Sequence, residues 1–430
     1  MDQKNSKTPN EEAEQGIHIV AKPIGPVCNL NCEYCFYLEK KALFSAGEQY
    51  RMTDEVLRAY IANYITSQPT PVVEFVWQGG EPTLLGLDFF RRVIELQKPF
   101  AGRKTITNSL QTNGTLLTDK CCAFLKEHNF MVGISLDGPK EVHDRYRRDR
   151  KGNGTFDRVM RGLKLLQKHE VEYNVLACVA RDTAKRPLDV YRFFKGEGIE
   201  FIQFIPIVER MPDVNSTHLG LRLAGPAALE KVEQHFDVTP WTVIPEEYGD
   251  FLIAIYEEWV RHDVGKVFVM NFEWALNAWI GNPSPICVHA KQCGQSLVIE
   301  HNGDVFACDH CVYPQYRLGN IMTSAGVLAQ GAEGGSSPTE PGVKTSSATP
   351  EPTSYLQDLL TREKLTGNWG GVREELAKKG ITFDVDLTQV LQGNVSGGNR
   401  FQKNPQNPWG GGRAREPYPL PGTHQLCPPP

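Results

Sequence analysis

Short runs of apolar residues alternate with longer amphipathic stretches over the first half of the chain. The short runs are typical of buried strands, and the stretches between them are typical of helices packed on a sheet. The predicted strands are His18–Lys22, Val72–Trp77, Thr107–Thr112, Met131–Leu136, Glu172–Val179 and Phe201–Ile205. The predicted helices are Asp54–Thr66, Phe89–Gln97, Asp119–His128, Phe156–His169 and Leu188–Gly196, with Thr53 and Thr118 as N-caps of the first and third. This alternation predicts an α/β fold in which six parallel strands, covered by helices, form a partial barrel.

The second half of the chain lacks this alternation. Residues 225–286 carry helical and aromatic patterns and are predicted to form a helical connection. Four tryptophans in it are expected in the core more often than in a substrate platform, namely Trp241, Trp259, Trp274 and Trp279. The later stretch LVIEHNGDVFACD alternates apolar and polar residues around Asn302-Gly303, which predicts a hairpin with a type I′ turn.

Composition and charge argue against several classes of function. Of the 430 residues, 40% are hydrophobic, which is enough for a large core. A net charge of −5 gives no case for binding nucleic acid through a basic surface, and the basic run 145–151 reads as a solvated loop. We expect no membrane segment and no secretory leader, because the first residues are polar and long apolar runs are missing. Eleven cysteines in such a chain favour reduced thiols and metal ligation in the cytoplasm.

Three cysteines lie close together in the run CNLNCEYC, at Cys28, Cys32 and Cys35. A loop of this kind can bring three thiolates onto one inorganic centre. A cubane iron–sulfur cluster has four irons, so three cysteines leave one iron open for chemistry. Zinc and a disulfide are the alternatives, although zinc would normally need a fourth ligand, and the nearest histidine, His18, lies ten residues before the loop.

Five motifs occur in a fixed order around and after this triplet. They are PIGPVCNLNCEYCFYLEK, FVWQGGEPTLLGLDFF, NSLQTNGTLL, VGISLDGPKEVHDRYRR and CDHCVYPQYRLGNI. Together they resemble the anaerobic sulfatase-maturating enzymes, radical S-adenosylmethionine (SAM) enzymes that convert a cysteine or serine of a sulfatase into formylglycine. The resemblance runs from about Ile17 to Ile321. It implies a partial (β/α)6 radical SAM barrel, a [4Fe–4S] cluster on the triplet, and SAM chelated by the open iron.

Further residues are assigned to the SAM site by this resemblance. It implies contacts from the backbone of Tyr34, from Gly80 in QGGEP, from Ser135, from Arg147 in the basic run, and from the backbone of Val208. Glycines let a backbone approach a ligand closely, and the consecutive amides of QGGEP are expected to be free for a ligand. Taken alone, a glycine pair marks a turn, a serine caps a backbone, and an aromatic residue beside a cluster packs against it.

A second group of cysteines, Cys287, Cys293 and Cys308, surrounds the predicted hairpin. By resemblance these three are ligands of an auxiliary cluster in a SPASM-type region. The family needs more cysteines after this point, for a fourth ligand and for a second auxiliary cluster, and only Cys311 and Cys427 follow. We therefore expect a truncated region that binds at most one auxiliary [4Fe–4S] cluster, with Cys311 as a geometrically awkward fourth ligand.

Asp309 is the catalytic residue that the resemblance implies, as the general base that takes the proton of the target thiol or hydroxyl. His310 is a weaker candidate, and a surface turn is the ordinary place for such an aspartate. The implied partners are an unfolded or nascent sulfatase polypeptide and an electron donor such as a ferredoxin or flavodoxin, with no nucleic acid and no membrane. Two alternatives stay open, a different radical SAM/SPASM maturase of peptides and a defunct fusion.

The character of the chain changes after about Met322. A linker rich in Gly, Ser, Thr and Pro leads to a segment that resembles the start of carbohydrate-selective outer-membrane porins, without a barrel to follow it. We expect this part to be a fusion or rearrangement with a largely disordered tail. The predicted boundaries are 1–16 (disordered), 17–224 (barrel), 225–286 (helical connection), 287–322 (auxiliary-cluster region), 323–354 (linker), 355–398 (porin-like segment) and 399–430 (disordered tail).

Overall fold

Ten strands join into one sheet in a computed structural model that describes residues 16–225, 237–282, 286, 296–324 and 327–330. The strands are β1 His18–Lys22, β2 Val72–Trp77, β3 Thr105–Thr112, β4 Met131–Ser135, β5 Tyr173–Val179, β6 Phe201–Pro206, β7 Phe268–Val269, β8 Ser296–Glu300, β9 Asp304–Phe306 and β10 Arg317–Asn320. Their order is β10-β9-β8-β1-β2-β3-β4-β5-β6-β7. Pairing is parallel from β8 through β1 to β7 and antiparallel at β8–β9 and β9–β10.

Helices fill the connections between the parallel strands. They are α1 Asp54–Ser67, α2 Leu87–Gln97, α3 Asp119–Glu127, α4 Lys140–Tyr146, α5 Phe156–Lys168, α6 Arg181–Ala184, α7 Pro187–Gly196, α8 Val214–His218, α9 Pro245–His262, α10 Met270–Trp279 and α11 Val327–Gln330. All six predicted strands and all five predicted helices of the barrel are present, with ends shifted by one or two residues. The strand–helix alternation of the sequence is thereby confirmed.

Both predicted N-caps are confirmed. The Thr53 hydroxyl accepts a hydrogen bond from the Val56 amide at 3.3 Å, and the Thr118 hydroxyl accepts one from the Cys121 amide at 3.2 Å. Each bond satisfies one of the amides that a helix start leaves without an intrahelical partner. These caps fix where α1 and α3 begin after the loops that carry the sequence motifs.

Strand β8 extends the barrel sheet beyond its first strand, which the sequence pattern did not predict. It pairs with β1 in parallel over its whole length, with Lys22 in register with Glu300. Ile19 on β1 and Ile299 on β8 are both fully buried in the main hydrophobic core. The hairpin of the second cysteine group therefore shares the core of the barrel.

The hairpin turn differs from the predicted type I′ turn. Val298 pairs with Phe306 and Ile299 with Val305, which leaves a three-residue loop, and the Gly303 amide donates to the Glu300 carbonyl at 2.9 Å. Among the loop residues only Gly303 has a positive φ, at 87°, whereas a type I′ turn needs two such residues. The extra residue places the glycine third in the loop, where the left-handed conformation closes a bulged hairpin.

The connection after β6 is less helical than predicted. Helices α9 and α10 are separated by β7, which adds to the edge of the sheet beside β6. Of its tryptophans, Trp274 is buried and Trp259 donates to the Val267 carbonyl at 2.7 Å, whereas Trp279 is 48% exposed. No helix in the described part of the chain is long and apolar enough to cross a membrane. Cys287, Cys293, the porin-like segment and nearly all residues of the two ends predicted to be disordered lie outside the described residues, and the domain boundaries stay predictions.

The shared core gives a test of the β1–β8 pairing. Ile299→Ala should lower the free energy of unfolding by about 2–5 kcal/mol, because it removes buried methyl groups from a packed core. Native-state hydrogen exchange should then speed up at the amides of β1 as well as β8. Ile253→Ala, at a side chain 58% exposed on α9, is the matched control and should change stability by less than about 0.5 kcal/mol. Unchanged exchange in β1 would contradict a shared core.

Candidate active site

The cysteine triplet lies in the loop that follows β1, at the carboxyl end of the sheet. Cys32 is 8% exposed, and Cys28 and Cys35 pack against the same buried group as Tyr34. Burial raises the pKa of Cys28 to about 12, and it also raises the pKa of Cys32 and of Cys35. Metal ligation needs thiolates, so loading a centre here releases protons and is favoured by higher pH.

The basic run 145–151 holds this cysteine loop and is not a merely solvated loop. The Asn31 amide donates to the Arg148 carbonyl at 2.8 Å, and the Arg150 side chain donates to the Cys28 carbonyl at 2.9 Å. Both bonds join the backbone of the triplet to the segment after β4. Residues far apart in the sequence thus set the shape of the loop.

Glu81, which follows the glycine pair after β2, is a fully buried carboxylate that connects two motifs. It accepts hydrogen bonds from the Thr83 amide at 3.0 Å, the Thr112 hydroxyl at 2.7 Å and the Asn113 amide at 2.7 Å. Burial raises its pKa, and these donors act in the opposite direction. The Asn113 side chain in turn points an N–H at the Cys28 sulfur, 3.7 Å away. QGGEP and QTNG therefore form one structure behind the triplet.

Gly80 is packed against the cysteine loop. A side chain there would clash, since a Cβ atom would meet the Val27 carbonyl oxygen at 1.9 Å. Its amide donates to the Gly25 carbonyl at 2.8 Å, and the Glu81 amide donates to the Val27 carbonyl at 2.9 Å. The expectation of free amides in QGGEP is therefore wrong, because these amides bind the preceding loop.

Arg147 is buried beside the triplet and bound to Asp137. Its Nε lies 2.9 Å from a carboxylate oxygen that also accepts the Tyr34 hydroxyl at 2.5 Å. Burial is the largest single influence and lowers the pKa of Arg147, but Asp137, Tyr34 and the nearby cysteines together raise it, so it ends well above the ordinary value. The Cys178 sulfur accepts from the same guanidinium at 3.5 Å. A network of buried charge thus borders the triplet, and the sequence reasoning did not find Asp137 within SLDGP.

The remaining predicted SAM residues lie at the carboxyl ends of two strands. Ser135 ends β4 and accepts a hydrogen bond from the Gln111 amide side chain at 3.0 Å. Val208 follows β6 and is 63% exposed. Their location agrees with the ligand-binding edge of a parallel α/β fold, and their contacts to SAM stay predictions.

Asp309 is paired with a lysine that the sequence reasoning missed. Lys22 Nζ lies 2.5 Å from Asp309 Oδ1 and donates to the Gln78 side chain at 2.9 Å. That oxygen is buried without a hydrogen-bond partner of suitable angle, so its contact with Lys22 is a charge pair. The ammonium also lies 4.5 Å from the centre of the Tyr37 ring. The signal available in the sequence was a lysine, Lys22, as the last residue of an apolar strand, where a charged side chain needs a partner.

Cys308 and Cys311 come together in the loop after β9. A hydrogen bond from the Cys311 thiol lowers the pKa of Cys308 to about 6, and His310 acts in the same direction. The His310 ring stacks on Phe36 at 4.9 Å, directly after the last cysteine of the triplet. The loop that carries Cys308 and Cys311 thus contacts the residue that follows the triplet. Its other predicted ligands, Cys287 and Cys293, lie outside the described residues.

The donors around the triplet fit an iron–sulfur cluster with SAM. In the described ranges, no three His, Cys, Asp or Glu side chains are gathered tightly enough to hold a single metal ion. A cubane is bound differently, because each thiolate ligates its own iron. Gly80 lets the cysteine loop pack closely against the end of β2, and the apolar residues around Tyr34 screen the triplet from water. Cys28, Cys32 and Cys35 would hold the cluster.

Comparison with known proteins gives the family. The radical SAM superfamily matches residues 23–194. A serine-type anaerobic sulfatase-maturating enzyme of Bacteroides thetaiotaomicron is 46% identical over 307 residues, covering 71% of this chain and 72% of that protein. This chain belongs to the anaerobic sulfatase-maturating enzymes.

Two further relatives support the assignment. A cysteine-type member from Clostridium perfringens is 33% identical, with 71% of this chain and 78% of that protein covered. The solved structure described as native anSMEcpe with bound AdoMet superposes with a TM-score of 0.62 at 31% identity, covering 74% of this chain and 80% of that one. The radical SAM fold is confirmed, and SAM with a [4Fe–4S] cluster are the cofactors of this family member.

Glu81 allows the structure behind the triplet to be tested. Glu81→Gln should lower the free energy of unfolding by about 3 kcal/mol, because one carboxylate oxygen would become an N–H group that faces a buried donor, either the Asn113 amide or the donors of Thr83 and Thr112. Iron retained after anaerobic reconstitution should fall with it, since Asn113 would no longer be fixed beside Cys28. Glu55→Gln, at an exposed position on α1, is the control. Full iron content in a Glu81→Gln protein of normal stability would contradict the role given to this carboxylate.

Proposed function

We propose that this chain oxidises a side chain of a sulfatase polypeptide to formylglycine, with the cysteine triplet and Asp309 as its two working parts. The contact of Phe36 with His310 carries this proposal, because it puts the residues after the triplet against the neighbour of Asp309. Relatives with the corresponding name support the reaction. A substrate segment between the two parts would meet a radical source on one side and a base on the other.

Serine is the target we favour. Relatives named as serine-type are 46% and 36% identical to this chain, against 33% for the cysteine-type relative from Clostridium perfringens. The structure described with bound AdoMet and a Cp18Cys peptide shows that a member of this family accepts a peptide. A sulfatase peptide that carries serine should be converted, and conversion of only its cysteine counterpart would contradict this choice.

The residues of this chain divide the work of one oxidation. When bound, the reduced cluster and SAM supply a deoxyadenosyl radical, which takes a hydrogen atom from the target β-carbon. Asp309 would accept the proton of the serine hydroxyl, and one electron would pass to a one-electron carrier such as an oxidised ferredoxin or flavodoxin. Loss of a hydrogen atom, a proton and an electron gives the aldehyde. Lys22 holds the Asp309 carboxylate in place through their charge pair. The apolar residues around Tyr34 keep water from the triplet.

We further propose that Tyr34, Gly80, Ser135, Arg147 and Val208 bind SAM. Their positions at the carboxyl ends of the strands support this role. Arg147 is already paired with Asp137, so its remaining N–H groups, and not an unpaired charge, would face the SAM carboxylate. We also propose a cytoplasmic location with a ferredoxin or flavodoxin as electron donor.

The second cysteine group would bind one labile auxiliary [4Fe–4S] cluster at most, through Cys287, Cys293 and Cys308. The approach of Cys311 to Cys308 supports Cys311 as the fourth ligand. The residues after about 322 would be a replacement for the missing part of the SPASM-type region, without a role in the reaction.

Asp309 variants separate the two halves of the chemistry. With a serine peptide, Asp309→Asn should still form deoxyadenosine, while formylglycine should fall by about 100-fold or more, as expected when a positioned base is removed. Asp309→Glu should restore part of the product, because it keeps the carboxylate. Liquid chromatography with mass spectrometry measures both products. Parallel loss of deoxyadenosine and formylglycine in Asp309→Asn would mean that Asp309 is structural.

Iron content tests the number of clusters. After anaerobic reconstitution the chain should hold about eight irons at most, because eleven cysteines, three of them in the barrel outside the triplet, cannot supply three clusters. Cys308→Ala should lower the count to about four and leave an iron–sulfur centre that cleaves SAM. Cys121→Ala, on α3 away from both cysteine groups, is the control. About twelve irons in the wild-type chain would contradict the prediction that its SPASM-type region is truncated.

A further inference from the structure

Trp241 occupies a position beside the cysteine triplet that the proposed reaction does not yet use. Its carbonyl accepts a hydrogen bond from the Arg181 amide at 3.0 Å, just after β5. The Val243 amide donates to the Ile207 carbonyl at 2.9 Å, just after β6. The segment that carries Trp241 is therefore fixed across the carboxyl ends of two adjacent parallel strands, where ligands of such folds bind.

The indole ring belongs to the apolar surroundings of the triplet. It packs against the buried group formed by Leu30, Cys32, Tyr34, Tyr146, Ala180 and Ile207, to which Cys28 and Cys35 also belong as partly buried members. A flat apolar ring here borders the space next to the residues that would hold the cluster.

The indole N–H of Trp241 lacks a hydrogen-bond acceptor among the described residues. Its Nε1 is buried and has no hydrogen-bond partner among the described residues. By contrast, Trp77 donates to the Asn108 side chain at 2.9 Å and Trp259 to the Val267 carbonyl at 2.7 Å. A buried donor without an acceptor costs free energy, and native proteins rarely leave one.

A missing bond alone would not identify a ligand, because Trp274 on α10 also lacks a partner. The place of Trp241 decides between them, since it faces the cysteine group and Trp274 does not belong to that group. SAM has to approach the open iron beside the triplet, so its nucleoside must lie close to the residues that surround the triplet. Adenine suits apolar walls such as Ile207 and Ala180, and its ring nitrogens N1, N3 and N7 accept hydrogen bonds but cannot donate them.

We propose that Trp241 binds SAM directly, by donating its indole N–H to a ring nitrogen of the adenine. This contact is additional to the residues already assigned to the SAM site and rests on the SAM dependence of the proposed function. The ring orients the adenine through its face and edge, and the N–H selects a nitrogen acceptor. Trp241 is thus a cofactor-positioning residue that keeps the nucleoside in one orientation beside the cluster.

Trp241→Phe removes the N–H and keeps an aromatic ring. Equilibrium dialysis of SAM against anaerobically reconstituted protein should show a Kd raised by about 2- to 12-fold, the range expected for one hydrogen bond. Iron content should stay unchanged. Trp279→Phe, at a ring 48% exposed on α10, is the matched control and should leave the Kd unchanged. An unchanged Kd in Trp241→Phe with full iron content would overturn the proposal.

SAM analogues identify the acceptor. In three analogues, one adenine nitrogen, N1, N3 or N7, is replaced by C–H. One of them should bind the wild-type chain more weakly than SAM and bind Trp241→Phe with no further loss, as a double-mutant cycle requires of a direct contact. Equal additional loss with all three analogues would overturn the contact and leave Trp241 a packing residue.

If Trp241→Phe fails to retain iron, the affinities of the wild-type chain for SAM and the three analogues test the proposal instead. Equal affinity for SAM and all three analogues would then overturn the proposal, and weaker binding of one would support it. Binding is measured without a peptide substrate. Absence of formylglycine formation with intact SAM binding would therefore count against the proposed function and not against the role of Trp241.

Discussion

The parallel pairing of β8 with β1 is the constraint on which the rest of the site depends. β1 ends at Lys22 and leads into the cysteine loop, while β8 ends at Glu300 and leads through the hairpin to Asp309. Because β9 returns beside β8, the loop after β9 packs with residues of β1 and of the cysteine loop, so this one pairing brings two distant motifs together. The Lys22–Asp309 ion pair and the Phe36–His310 stack follow from it. A radical source and a base can then act on one substrate residue.

Buried charges hold this edge together, each with its partners. Lys22 is matched by Asp309, Arg147 by Asp137, and the Glu81 carboxylate by four hydrogen-bond donors from two loops. An unpaired charge in such a place would cost several kcal/mol, so the arrangement tolerates little rearrangement. Near these pairs, the indole N–H of Trp241 is a buried donor without a partner among the described residues.

Much of the fold could be predicted because its signals are local. Apolar runs fix the barrel strands to within one or two residues, and Thr53 and Thr118 cap their helices as expected. What failed was non-local or depended on a single residue. Nothing in the pattern of β8 says that it joins β1, and the loop of the hairpin is one residue longer than a type I′ turn allows. The Gly80 amide was expected to be free because the sequence does not show that Gly25 lies beside it.

Within the site, motif residues were easier to find than their partners. The triplet and Asp309 stand out by spacing and by family resemblance, whereas Lys22, Glu81, Asp137 and Trp241 show their importance only once burial and contacts are known. Both motifs are expected to act on one substrate residue, with the radical taking its hydrogen atom from the β-carbon. Incubating the reconstituted chain with SAM and a sulfatase peptide deuterated at the serine β-carbon tests it most directly. The account predicts a peptide oxidised to formylglycine and deuterium in the deoxyadenosine; formylglycine without deuterium transfer would contradict it.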